Sequence, residues 1–524
     1  MRACIVLALC AVACAPDQWR SMQTDWPEPD PDKPPRDLVR EEDKPAADEP
    51  KLDLPPDNGP LSLSIEQATI LALQNNRDLA VQQLDPVIAG AFELIERGVF
   101  DPEVYADLAY GEETSSEVSR STGERFDVDA EDVAAGVGVR QRLPTGTDID
   151  IGLTNERDTS NRAPTQEQVR LGLTVTQSLL RGLGPRVNLA RVQQAAIGTE
   201  ASKFELEGFT QAVIADTQIA YWNYVLAKQE IAIFQRSLEV AVQQRDELQT
   251  RIDVGTLPED QIAVARTEVA VRELALIDAR ARLEERRLRL LRQMSPDLDG
   301  GLDRPIDSTS EPKIEAPIKV EDDNERVQLA LKARPDLQEA RLRQEQNRLE
   351  TVVTRNGILP RLDLFVTLGK SGYADTLIDA FKDLDGDNYD ARVGISLSAF
   401  LENRSARGRD LAARASWRRS AEAVENLAQI VRLDVRLALN ELERARQQIT
   451  ATRTTRELQE LTVAAELQRF EVGASTGLLV AQAQRDLLQV QIDEVRAVVA
   501  YRIALVQLYL AEGSLLPRRG LAVR

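Results

Sequence analysis

Histidine is absent from all 524 residues. That removes the commonest general base and the commonest transition-metal ligand, and with them any Ser-His-Asp set. Cysteine is nearly absent too. Cys4, Cys10 and Cys14 all fall within the first 14 residues, so the rest of the chain can form neither a disulfide nor a thiolate metal site. Aromatic residues are 4% of the chain and charged residues 29%. This is lean for one large globular core and ordinary for long helices packed side by side. Basic charge is in deficit, with 65 Lys and Arg against 86 Asp and Glu and a net charge of −21. Such a surface disfavours nucleic acid, and no basic stripe with interleaved aromatics offsets it. Beyond the N-terminus no run reaches the roughly 20 consecutive apolar residues that a membrane-spanning helix needs. No glycine-rich phosphate loop precedes a helix in the right context. The sequence points to no enzyme and calls for no metal or cofactor.

What is there begins with an export signal. Met1-Arg2 and the apolar run Ala3–Ala13 read as a short secretory signal. Ala11-Val12-Ala13-Cys14 is similar to a lipobox, which makes Cys14 the expected lipidation site; ordinary cleavage near Ala13 or Ala15 is the alternative. Residues 15–60 are rich in Pro, Asp, Glu and Lys and read as a disordered tether behind a 1–14 signal.

The rest of the chain says the same thing twice. Ala72-Leu73-Gln74-Asn75-Asn76-Arg77-Asp78-Leu79 reappears as Ala330-Leu331-Lys332-Ala333-Arg334-Pro335-Asp336-Leu337, 258 residues later. Arg251-Ile252-Asp253-Val254-Gly255 matches Arg469-Phe470-Glu471-Val472-Gly473 at an offset of 218, so the first half carries 258 − 218 = 40 extra residues. The first repeat is expected over 61–294. A capping box at Ser64 and Gln67 opens a helix to about Arg97 with a break near Pro86. Period-two stretches then fill about 102–177: Val104 to Tyr110, Val133 to Val139, Ile149 to Leu153 and Val169 to Val175. Apolar residues alternating with polar ones suit a barrel strand, lipid on one side and lumen on the other. A proline-free helix of about 187–254 would span about 100 Å, and a helix of about 259–294 would return along it. Residues 295–323 form a proline-rich linker. The second repeat, 324–515, expects one helix from Asn324 to Asn356, strands over about 360–400, a long helix at about 405–470 and a return helix at about 477–510. Residues 516–524 are left as a tail.

In this order the sequence resembles the TolC-type outer-membrane efflux proteins. The resemblance rests on Arg469-Phe470-Glu471-Val472-Gly473, Val480-Ala481-Gln482-Ala483-Gln484 and Tyr501-Arg502-Ile503-Ala504-Leu505, and on Gln177-Ser178-Leu179-Leu180-Arg181-Gly182 at a strand-to-helix joint. It implies a mainly α fold with a transmembrane β-barrel portion. Duplicated helix–strands–long helix–helix repeats would form a trimeric α-barrel/β-barrel tunnel. It also implies a homotrimer in outer-membrane lipid, a periplasmic adaptor protein, and an inner-membrane pump or secretion ATPase. The tip turns Val254, Gly255, Thr256, Leu257, Val472, Gly473, Ala474 and Ser475 would dock on the adaptor.

Two departures from the family stand out. Family members place two strands in each half, whereas the first half here has room for four. The insert around Val133–Asn155 either widens the barrel or lies outside it, and is expected to join the sheet. Second, positions where some members carry gating aspartates hold Leu479 and Gln482. Glu259 and Asp260 could supply charge at the other tip, or serve only as an acidic first helical turn; Leu479 could gate by dewetting. Asp383–Asn388 looks like part of a calcium loop but lacks the closing glutamate, so an acidic surface loop is expected. The rival to a passive exit duct is a periplasmic coiled-coil adaptor or spacer, which would have no use for the alternating segments.

Overall fold

The computed structural model describes residues 61–118, 120–255, 259, 261–294, 303–312 and 323–518. Cys14 and the expected tether lie outside them. The described chain opens on strand β1 (Leu61–Leu63) and helices α1 (Ile65–Asn75), α2 (Arg77–Gln82) and α3 (Asp85–Gly98). Strands β2 (Glu103–Val118), β3 (Arg125–Arg142), β4 (Thr147–Ser160) and β5 (Gln166–Ser178) follow. Then come α4 (Pro185–Asn188), the long α5 (Ala190–Asp253), its return α6 (Gln261–Met294) and a short β6 (Ile306–Ser308). The second half runs α7 (Asp323–Ala333), α8 (Pro335–Gly357), β7 (Arg361–Ala374), α9 (Leu377–Asp383), β8 (Tyr389–Ser398), α10 (Arg404–Glu471), α11 (Gly477–Ala511) and α12 (Leu515–Arg518).

The duplication extends to backbone angles. The capping box at Ser64 forms: its hydroxyl accepts from the Gln67 N–H at 3.2 Å, and its own N–H donates to Gln67 Oε1 at 2.8 Å. The helix then breaks at Asn76, with φ −63° and ψ 119°. The equivalent Arg334 has φ −65° and ψ 121°. Each N–H still donates to the carbonyl four residues back, Ala72 or Ala330. Both breaks correct the sequence reading, which expected continuous helices through them. Proline at 335 explains one, since it drives the preceding residue extended. Asn76 explains the other by capping the next helix, its side chain accepting from the Leu79 N–H at 3.1 Å.

Two further corrections concern segments read as connectors. Residues expected as linker contain β6, which pairs in parallel with β1, Leu61 opposite Ile306. This small sheet is fastened to α5 by two buried phenols. Tyr221 donates to Leu63 O at 2.9 Å and accepts from the Ser310 N–H, and Tyr224 donates to Ile306 O at 2.6 Å. Around them pack Trp222, Val225, Leu290, Leu291 and Val499, one core drawn from both repeats. The expected tail likewise begins inside α12, where Leu515 and Leu516 bury against Ile214 and Ala215 of α5. Glu512 there is fully buried and bound by Arg326 at 2.6 Å.

The six larger strands form one antiparallel sheet in the order β2-β3-β4-β5-β7-β8. Repeat-equivalent β7 and β8 pair directly, whereas β2 and β5 are separated by the hairpin β3–β4. The insert therefore joins the sheet. Among the described residues of one chain the sheet is open, with β2 and β8 as its edges. Beneath it α3 packs on α5, α5 on α8, and α8 on α10. The helices thus run in the lateral order of the strands they join. Among the described residues no helix is long and apolar enough to cross a membrane.

Candidate functional site: tip turns and the polar face of the sheet

Alternation gives the sheet two different faces. One carries Val104, Leu108 and Tyr110 on β2, Val137 and Ile151 on the inserted hairpin, Leu171 and Leu368 inside, and Val393, Ile395 and Leu397 on β8. All of these large apolar side chains are exposed. An apolar sheet face left open to this extent needs a nonaqueous partner. The opposite face is polar. On it a row of glycines crosses four strands, Gly138–Gly152–Gly172–Gly369, between Tyr105 on one edge and Asp390 on the other. Long side chains lie flat in the space the glycines leave. The Tyr105 hydroxyl would meet a Cβ on Gly138 at 2.5 Å and on Gly152 at 2.8 Å. It donates to Asp150 at 3.0 Å, and Arg140 covers its ring while gripping Glu103 at 2.8 and 2.9 Å. Arg170 lies over Gly172 and Gly369 and holds Asp390 at 3.0 and 2.8 Å. Sequence alternation located this face but not the network, because cross-strand partners depend on register.

The joint between sheet and helices is built from Gly182 and Gly184, at φ 87° and 89°. Asn188 donates to the carbonyls of Gly182 at 2.8 Å, Gly184 at 3.2 Å and Pro144 at 2.9 Å. Pro144 belongs to the β3–β4 turn, and the Gly184 N–H donates to Thr145 O of that turn at 3.0 Å. Asn356, from the second repeat, accepts from the Gly182 N–H at 2.8 Å.

At the far end the long helices turn. Val254 has φ −89° and ψ 6°, and Val472 has φ −91° and ψ 8°. Gly255 and Gly473 follow at φ 77° and 76°, the left-handed region where glycine is cheapest. The Ala474 N–H donates to Arg469 O at 2.7 Å, closing a Schellman-type turn. The Ser475 hydroxyl donates to Glu466 at 2.8 Å, and Arg469 holds the same carboxylate at 2.7 Å. The hydroxyl, ahead of the guanidinium, holds the Glu466 carboxyl below the ordinary range. Thr476 caps α11 through the Leu479 N–H.

Val254, Gly255, Val472, Gly473 and Ala474 are exposed and Ser475 is half-buried; Glu259, Leu479 and Gln482 are exposed as well. Thr256, Leu257 and Asp260 lie outside the described residues. The return helices are tied together two turns inside the tips, Arg485 of α11 reaching Glu268 of α6 at 3.5 Å. Arg272, itself 3% exposed, holds that carboxylate at 2.5 Å. The sequence reading missed this cluster, since charge at these positions looks like any solvated helix face. Asp383 of the acidic loop accepts from the Tyr373 N–H at 2.9 Å and so clamps its own loop. Among the described residues no group of three or more acidic or thiol side chains is arranged to hold a metal ion.

Comparison with known proteins agrees with this geometry. Residues 327–514 match the family profile described as outer membrane efflux protein. The outer-membrane channel OprN superposes with a TM-score of 0.65 at 18% identity, over 86% of this chain and 90% of that one. The CmeC outer membrane channel of Campylobacter jejuni gives 0.63 at 17%, over 86% and 85%. The outer membrane protein VceC of Vibrio cholerae gives 0.62 at 17%, over 86% and 96%. No curated protein matches in sequence. The second half thus matches the outer membrane efflux protein family, and the chain shares the fold of outer-membrane channels across 86% of its length.

Proposed function

We propose that three copies of the chain close into a passive exit duct across the outer membrane, completing a tripartite efflux pump or a type I secretion system. The observation that carries this reading is the two-faced open sheet. One face is apolar and exposed, the other is lined with charge, and among the described residues neither edge has a partner strand within the chain. A sheet can sit in lipid only when closed, because unpaired edge groups have no water to bind. Six alternating strands place β2 antiparallel to β8, so head-to-tail pairing of copies continues the ladder and closes a ring. The helices support the same closure. Apolar side chains are exposed on α3 at one lateral edge (Ile88, Phe92, Ile95) and on α10 at the other (Leu411, Leu433, Leu437).

In this reading the chain sits in the outer membrane, with a lipidated Cys14 as a second anchor, and its helices form a tunnel in the periplasm. The tip turns, presented by glycines with open space around them, dock on a periplasmic adaptor. Energy and selection come from an inner-membrane pump or secretion ATPase. The periplasmic aperture is framed by Glu259, Asp260, Leu479 and Gln482. The rival coiled-coil spacer leaves the apolar sheet face without a purpose. Single-channel recording in planar bilayers tests the duct: discrete conducting steps are expected, and silence at every protein concentration removes the reading. A Gly473→Arg variant tests docking: export should be lost while trimers persist, and normal export would refute it.

A further inference from the structure

Resting on the duct reading, we propose that the membrane section is an eighteen-stranded barrel, wider than the twelve strands implied by two per repeat half, and that its bore imposes no size filter on small cargo. Two independent observations carry this. The first is register. The sheet is continuous from β2 to β8, and the inserted hairpin is bonded along both its sides, Val104 opposite Val139, Val139 opposite Ile151, and Ile151 opposite Leu173. Its apolar residues fall on the same face as those of the other four strands. A hairpin lying outside the wall would leave β2 to pair with β5, and it does not.

The second observation is the seat. The β3–β4 turn is locked into the strand-to-helix joint by Asn188, which binds Pro144 O of the turn together with Gly182 O and Gly184 O of the joint. A Cβ on Gly146 of the turn would collide with Gly182 O. The turn is therefore packed and hydrogen-bonded against this joint. Six strands per copy give an even number, so the antiparallel pattern survives closure.

The consequence is geometric. With strands about 4.8 Å apart and tilted about 40°, twelve strands give a backbone radius of about 12 Å and eighteen give about 18 Å, roughly doubling the enclosed area. The second width is that of barrels that hold an aqueous channel. Tyr105 and Arg170 lie flat over the glycine row rather than standing up from it, which keeps them out of the bore at that level. Discrimination by size then belongs to the helical end.

The decisive measurement is the strand count of the full-length trimer in lipid nanodiscs by cryo-electron microscopy, combined with cysteine cross-linking. No cysteine follows Cys14, so introduced pairs read cleanly. Cysteines scanned over 104–110 of β2 and 391–397 of β8, on apolar-face positions, are expected to yield covalent trimers on oxidation. Neutral polymers of about 10 Å radius, about twice the radius of a helix with side chains, should enter from the outer side and lower the conductance. Eighteen strands with β2–β8 cross-links support the proposal. Conducting trimers that count twelve strands, with β3 and β4 outside the wall, overturn it and leave the duct reading intact. Chains that form neither trimers nor pores remove the duct reading and this inference with it.

Discussion

Gly473 illustrates how little of a residue's role need come from contacts. A Cβ added there, or at Gly255, would meet nothing within 4 Å. Only the backbone objects, because at φ 76° an L side chain crowds its own carbonyl, at a cost of about 1–2 kcal/mol. Gly473→Asn should therefore be tolerated better than Gly473→Val, although both fit the space. Chemical denaturation with a probe at the tip checks this, and equal losses would mean that the turn is held by something besides φ. The neighbouring Glu466 gives a pH prediction. Its folded-state carboxyl titrates below the ordinary value, so its stabilising bond to Ser475 is fully present above the unfolded pKa near 4.5 and is lost as pH falls through the lower folded value. Glu466→Gln should loosen the tip at pH 7, and the difference between the two proteins should vanish as pH falls through the lowered folded-state value. Amide exchange around 474–476 in both proteins would show it.

At the scale of elements, the sequence made the long helices and the repeat order plain because they rest on period and composition. Proline-free stretches and the Val-Gly turns needed no tertiary information. Helix breaks were harder: Asn76 ends a helix through one side-chain cap, and nothing in the apolar spacing marks it. The β1–β6 pair was illegible for a different reason. Three-residue strands carry no period, and their partners are 245 residues apart, Leu61 against Ile306. What makes them is burial beneath Tyr221 and Tyr224, visible only once α5 is placed. Tyr221→Phe removes a buried donor from Leu63 O and an acceptor from the Ser310 N–H, and should cost about 1–3 kcal/mol in urea unfolding. The polar-face network was equally hidden, since a glycine row exists only in register. Asn188→Ala tests the seat of the hairpin. It orphans joint carbonyls, so the 143–147 turn should become sensitive to protease while the helical content by circular dichroism stays unchanged.

In the proposed duct, the whole molecule is defined by what one copy leaves unfinished. Its edges differ: α3 and β2 bound one side, α10 and β8 the other. Unlike edges pair head to tail, and such pairing either closes a ring or runs on as a fibre. Phe92 is six residues before the end of α3, and Leu411 is seven residues after the start of α10. At 1.5 Å per residue both lie about 10 Å beyond their helix ends at the sheet. They are 59% and 70% exposed, so neither contributes much to the fold of its own copy, and both fall at the level where one copy would meet the next. Phe92→Glu alone, or Leu411→Arg alone, should leave the monomer folded by circular dichroism but shift the assembly from trimer to monomer in sedimentation velocity. Either single change buries a charge without a partner, which is the costly case. The double variant places the two charges against each other and should recover a large share of the trimer. Recovery requires that the two faces meet across copies. If the double variant stays as monomeric as the singles, the faces do not meet, and the head-to-tail closure drawn from the two edges is wrong.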